Sequence, residues 1–246
     1  VCAYAEPCSE RGRQIYLGPE IYHVKRTREE GAKQRGWMYG ARLEAEYLKR
    51  YKFYVGADAL WARGTLDGVS SGEIKCRSRL TDENVEGRFG YTFQRKHGWK
   101  VGLTPFVGWG YFWENNHFRN PTPRIVAFKN HFSYVPLGFI VQIHPCPNWS
   151  IFIKYKVRYL LNGLVDVHDK HEVEPMDFKM HYQEKLQYRL DIPIMYQFCM
   201  YNVPLYAVVD PFYETRRYGK LSNFPFDFAE TKFRIYGVNL SLMYNF

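Results

Sequence analysis

Asp166-Val167-His168-Asp169, with His171, Glu172 and Glu174 just beyond, gathers two imidazoles and four carboxylates into nine residues. A carboxylate two places from a histidine can orient the imidazole, and the pair can polarise a water molecule for attack. The same groups could ligate a divalent cation. Hydrolysis would also need an opposing acidic pair to hold the water. The sequence offers for this only Asp67 in "GTLDG" and Asp82-Glu83. A solvated acidic loop is the plainer reading, and Asp166 and His168 stand as an alternative catalytic pair. Cys2, Cys8, Cys76, Cys146 and Cys199 show no metal-ligand spacing and no C-x-x-C. No G-x-S-x-G, phosphate loop, zinc-finger or RNP pattern occurs. No metal, cofactor or nucleic-acid partner is therefore expected.

A second kind of chemistry lies in the excess of cations. The formal net charge is +9, which suits anionic headgroups, a phosphorylated glycolipid or nucleic acid without choosing among them. Lys25, Arg26, Arg28, Lys33 and Arg35 surround one segment, and Arg216, Arg217 and Lys220 another. They form a candidate anion-binding rim if the fold brings the two segments together. An ordinary solvated rim is the alternative.

Strands must position these groups, because the apolar residues recur at every second place. Ten candidates result, at 14–26, 35–48, 52–64, 83–94, 99–114, 131–144, 149–162, 182–198, 204–217 and 232–246. In the last, Tyr236, Val238, Leu240, Leu242, Tyr244 and Phe246 alternate with Gly237, Asn239, Ser241, Met243 and Asn245. In the eighth, Leu186, Tyr188, Leu190, Ile192, Ile194, Tyr196 and Phe198 alternate with polar or unlike neighbours. The chain carries 21 Tyr, 18 Phe and 6 Trp in 246 residues, far too many aromatics for a disordered chain. No linker divides it. Residues 1–13 form an N-terminal segment, in which Ala3-Tyr4-Ala5 fits the end of a cleaved secretory signal. Residues 14–246 form a single all-β domain.

The connections alternate in length. "LKRYK", "QRKHG", "HPCPN" and "CMYNV" are short, whereas segments such as "GTLDGVSSGEIKCRSRLTD" and "ENNHFRNPTPRIVAFKN" are long. Short turns on one side and long loops on the other describe a closed up-and-down antiparallel transmembrane β-barrel. No run approaches the roughly 18 apolar residues of a membrane-spanning helix, but that test is blind to barrels. A soluble lipocalin-type barrel would turn the apolar face inward instead. Aromatics near the ends of the apolar stripes, such as Trp37, Tyr47, Trp109 and Trp113, favour the inverted arrangement, in which they form two interfacial girdles.

The ending "YGVNLSLMYNF" resembles the last-strand signal of Gram-negative outer-membrane β-barrel proteins. That resemblance implies an integral outer-membrane location and contact with outer-membrane lipid, where the basic rim would suit the phosphates of lipopolysaccharide or an acidic host surface. It also implies recognition of the final strand by the barrel-assembly machinery, with Tyr236, Val238, Leu240, Leu242, Tyr244 and Phe246 as the signal. The Asp166/His168 spacing is similar to that of the omptin family, ten-stranded outer-membrane proteases that use an Asp–His pair opposite paired aspartates. Here the second pair is wanting.

With the apolar face outward, the inward set follows: Glu20, Arg42, Glu44, Glu46, Asp58, Glu86 and Arg88 from the first four strands. Lys154, Lys156, Arg158, Lys185, Arg189, Asp191, Asp210 and Glu214 come from strands seven to nine. In a ring of ten, strand two faces seven and three faces eight, so an acidic wall should look across at a basic one. Isolated charges there would be costly and facing opposites satisfy each other. The expectation is a mostly plugged lumen in a surface protein that is structural or binds an external ligand through its loops. A narrow selective pore and an omptin-like protease are the alternatives. Cys146 and Cys199, both in short turns, are one possible disulfide, and Cys8 with either is another.

Overall fold

A strand whose side chains alternate in character leaves one face to be hidden, and a sheet can hide it by curling until its edges meet. The computed structural model describes residues 12–29, 31–49, 51–70, 72–94, 101–120, 125–146, 148–169, 178–181, 186–200, 203–219 and 230–246. They form β1 (Arg13–Arg28), β2 (Lys33–Tyr47), β3 (Phe53–Val69), β4 (Lys75–Tyr91), β5 (Phe93–Gln94), β6 (Val101–Asn120) and β7 (Ile125–Cys146). Then follow β8 (Trp149–Asp169), β9 (Phe178–His181), β10 (Leu186–Asp191), β11 (Ile194–Met200), β12 (Val203–Tyr218) and β13 (Thr231–Asn245). β5 prolongs the stave of β4, and β9, β10 and β11 lie along one stave beside β8, so the thirteen strands make ten staves. All pairings are antiparallel. β13 pairs with both β12 and β1, from Gln14↔Asn245 to Arg28↔Thr231, and this closes the barrel.

The pairing register fixes the geometry. Followed from Tyr22 through β2, β3, β4 and β6, it arrives at Phe128 on β7. Followed the other way, through β13, β12, β10 and β8, it arrives at Ile140. The stagger is 140 minus 128, or twelve residues, which for ten staves tilts the strands by about 40° from the barrel axis.

The staves run past the ends expected from the apolar stripes. β6 continues to Asn120, β7 begins at Ile125, and β3 and β4 reach Val69 and Lys75. Most of two expected long loops is therefore hairpin. The stripe ends early because the outward residues turn polar, as at Arg77, Arg79 and Thr81, or Asn115, His117 and Arg119. The pairing does not end with them. The eighth candidate strand is divided at Ile192-Pro193, where proline has no N–H to give. The ladder is bridged there by Phe152 N–H to the Pro193 carbonyl and Ile192 N–H to the Pro211 carbonyl.

Outward aromatics form two rings. Trp37, Trp61, Trp113, Tyr188, Tyr213 and Tyr236 lie toward the long-hairpin end, and Phe53, Trp149, Tyr196 and Tyr244 toward the short turns. Phe53 and Trp61 stand eight places apart on β3, about 20 Å along the axis at this tilt. That nearly matches the apolar band of outer-membrane barrels, about 25 Å tall.

Inside, close packing demands small residues opposite large ones. A Cβ on Gly110 would lie 2.3 Å from the ring of Tyr134, which is fully buried. Outward Gly87 has no such neighbour, its nearest atom being 4.0 Å away. Gly110→Ala should thus destabilise the barrel by about 1–3 kcal/mol through overpacking, and Gly87→Ala should not. Unfolding midpoints in urea, followed by heat-modifiable gel migration, would show equal losses if this packing argument is wrong.

Candidate functional site in the barrel lumen

The inward residues of β8, read from the short turns, are Phe152, Lys154, Lys156, Arg158 and Leu160, all buried. This one stave shows the layering of the whole lumen. Phe152 belongs to a floor with Tyr16, Tyr54, Phe106, Ile140 and Met243. Leu160 belongs to a ceiling with Met38, Leu66, Phe112, Phe132 and Phe233. Between them lies a slab of charge.

Within the slab, groups from opposite sides of the ring meet. Lys154 Nζ donates to both Glu44 oxygens at 3.0 Å and to Glu46 Oε2 at 3.1 Å. Lys156 Nζ bonds both oxygens of Glu86, at 2.8 and 3.0 Å. Arg158 bonds Glu214 at 2.7 Å, and Arg189 bonds Asp191 at 2.7 Å and Glu214 at 3.0 Å. The acidic and basic walls are nevertheless mixed. Arg42, from the expected acidic side, bonds Glu20 at 3.0 Å and its neighbour Asp58 at 2.6 Å, so Asp58 is satisfied without strand eight. Arg88 pairs with Glu44. The space among Arg42, Glu44, Arg88, Phe106, Lys154, Lys156, Asp191 and Asp210 leaves ≈ 10 Å³ for a water centre, about one molecule. Lys185 lies outside the described residues.

The network includes groups that the apolar stripes did not reveal. Asp82 accepts from Tyr22 Oη at 2.8 Å and from Arg216 at 2.9 Å, and Glu114 accepts from Asn130 at 2.8 Å and Tyr218 at 3.0 Å. Both fall at or just past the ends of the expected fourth and fifth strands, and extending the alternation by polar residues would have found them. The ceiling was missed because only the outward stripe was followed, although Phe112 and Phe132 stand among the inward positions.

The expected rim divides. Arg26 and Arg216 are 3% and 2% exposed and point inward, Arg216 lying 4.4 Å from the centre of the Phe112 ring. Arg28 also turns inward, over Phe128 at 5.3 Å. An even-numbered residue of β1 or β12 cannot share a face with Lys25 or Arg217. Lys25, Lys33, Arg35 and Arg217 remain outside, joined there by Lys232 and Arg234, just beyond the upper aromatic ring. Lys220 lies outside the described residues.

Among the described residues, the carboxylates Asp166, Asp67 and Asp82 are not brought together. β8 carries a bulge, since Ser133 pairs with Asn162 and Tyr134 with Leu160, leaving Leu161 as the extra residue. The bulge reverses the faces beyond it, so Gly163 and Val165 are buried and Asp166 turns outward to His131, at 3.2 Å. The His168 side chain lies outside the described residues. Asp67 is outward and bonds Arg77 at 2.6 Å, whereas Asp82 is committed to the lumen network. Cys199 is disulfide-bonded and Cys146 is free, so the two do not pair. Cys76 is also free, and burial pushes its thiol up. Among the described residues no group of three or more His, Cys, Asp or Glu could hold a metal ion.

No protein-family model and no curated protein matches the sequence. Solved structures do resemble the fold. The outer membrane protease OmpT from Escherichia coli aligns over 96% of both chains at 10% identity, with a TM-score of 0.56. The translocator domain of the autotransporter NalP from Neisseria meningitidis aligns over 96% of this chain and 88% of its own, at 7% identity and a TM-score of 0.51. At such identities the likeness concerns architecture. The chain has the closed antiparallel fold of bacterial outer-membrane β-barrel proteins, and that fold serves proteolysis in one neighbour and translocation in the other.

Glu86 is the most shared acceptor of the slab. Besides Lys156, it has Arg88 at 3.4 Å, Arg158 at 3.8 Å and the Tyr134 hydroxyl at 2.8 Å. Removing it leaves buried Lys156 with no carboxylate and takes one of the acidic partners from Arg88 and Arg158, whereas removing Lys156 leaves Glu86 with two cations. Glu86→Leu should therefore cost about 3–5 kcal/mol, and Lys156→Met well under half as much. Urea unfolding of the refolded barrel measures both, and equal costs would contradict a shared acceptor.

Proposed function

We propose that this protein is an integral outer-membrane barrel with a closed lumen, acting at the cell surface as a structural or ligand-binding element through its long hairpins. The single observation that carries this reading is the filling of the lumen, among the described residues, by apolar floor, paired charges and apolar ceiling, the space beside Glu44, Arg88 and Lys154 holding about one water. A pore would need a continuous wet path, and floor and ceiling side chains occupy it. An omptin-like protease would need Asp166 to face the lumen, and it faces His131 on the outer wall.

The outer wall suits the same location. Its apolar band lies between two aromatic rings, and Lys25, Arg35, Lys232 and Arg234 stand where lipopolysaccharide phosphates would meet a barrel. On this reading the purified barrel gives no reproducible conductance steps in a planar bilayer. Steps whose ion selectivity changes on replacing Lys154 or Glu44 by alanine would overturn the closed lumen and establish a pore.

The final strand serves in this proposal as both the closing stave and the segment read by the assembly machinery. Tyr244 and Phe246 are outward and exposed, whereas Asn245 is inward and buried. Replacing Tyr244 and Phe246 with serine should reduce membrane assembly in cells several-fold more than Asn245→Ser. Equal assembly of both variants would reduce the ending to ordinary stave patterning.

A further inference from the structure

The outer wall is not evenly apolar. Across β2, β3, β4 and β6 it is hollowed, because Ala41, Ala45, Ala57, Ala59 and Gly87 stand where other staves carry large residues. Two hollows of ≈ 340 and ≈ 470 Å³ share Leu43, Ala59 and Val85 and so form one groove along the wall. Tryptophans border it, with Trp109 on one side and Trp61 and Trp113 near its upper end.

At that upper end stands a carboxylate. Glu83 pairs in register with Trp61 on one neighbouring strand and with Trp113 on the other. All three project outward, and side chains so paired have Cβ atoms about 5 Å apart. Glu83 is therefore flanked by two indoles that are 51% and 40% exposed. Among the described residues it makes no ion pair or hydrogen bond. Arg63 lies diagonally above it, opposite Thr81, and makes none either.

An unpaired carboxylate at a lipid interface lacks a counter-charge and repels phosphate-only headgroups. Set between two indoles, however, it suits an ammonium group, which would gain cation–π contacts and a counter-charge together. One residue pair higher, Arg63 suits the phosphate that accompanies such an ammonium in a zwitterionic headgroup. Below, the alanine-floored groove offers an acyl chain close contact with the wall.

From this juxtaposition we infer that the wall of β2, β3, β4 and β6 is a binding site for one zwitterionic phospholipid. Its ammonium lies at Glu83 between Trp61 and Trp113, its phosphate at Arg63, and one acyl chain in the groove. The inference rests on the proposed reading that this wall faces lipid.

The test uses the full chain refolded in an uncharged detergent, with native mass spectrometry of lipids retained from equimolar phosphatidylcholine, phosphatidylethanolamine and phosphatidylglycerol. Retention of one zwitterionic lipid about tenfold over phosphatidylglycerol is expected. Preference for the choline lipid assigns recognition to the indoles, and equal retention of choline and ethanolamine lipids assigns it to the carboxylate. Glu83→Gln and Trp61→Ala should each abolish the preference, while Tyr188→Ala on the opposite wall should keep it. Equal retention of all three lipids, a preference that survives Glu83→Gln, or a dimer that excludes lipid would overturn the inference. Insertion into phosphatidylglycerol vesicles, scored separately by heat-modifiable migration, reports on the membrane reading. A barrel that inserts without lipid preference refutes the site alone, and one that does not insert refutes the membrane reading.

Discussion

Glu86 receives an ammonium, approaches two guanidinium groups and meets a tyrosine hydroxyl within one turn of the ring. That convergence states the constraint under which this barrel is built. A charge held away from water must find its opposite inside the ring, and the opposite must come from a stave that the stagger brings to the same height. A network of this kind is weak evidence for extra stability, since desolvation offsets much of the attraction. What it does dictate is register. A slip of one residue on β8 would carry Lys154, Lys156 and Arg158 to the outer wall together.

The protein changes character along its axis. Between the aromatic rings it is apolar outside and charged inside, as a membrane barrel should be. Beyond the upper ring the outward residues of β4 and β6 become Arg77, Arg79, His117 and Arg119, while Leu66, Leu80 and Phe128 fill the interior. That upper part is organised like a soluble barrel. On the proposed membrane reading one continuous ladder serves two solvents, and the change between them falls within single strands, as between Val85 and Arg79 on β4.

This change also explains how much was legible in the sequence. Strand number, closure and the inward faces of β2, β4 and β8 followed from alternation, because within the band alternation is almost unbroken. Strand ends were not legible, because the apolar stripe stops where the outward residues turn polar and hydrogen bonding does not. Arg26 and Arg216 were assigned by proximity to the rim, when parity already turned them inward. Asp166 could not have been placed, because nothing in "RYLLNGLVDVHD" marks Leu161 as the residue that breaks the count. The hollow beside Glu83 depends on four staves at once and has no signature in any one of them.

Leu161 acts as a phase shifter in the stave. The described side chains just beyond it, from Gly163 to Asp166, owe their side of the wall to that one added position. A change of length by a single residue there would exchange the two faces of the segment, returning the carboxylate of Asp166 to the interior and sending Val165 out. This barrel would thus trade a sealed ceiling for an acidic one by a change of strand length alone. The relevant variable is the parity of the strand, which a comparison of residue types position by position would not register.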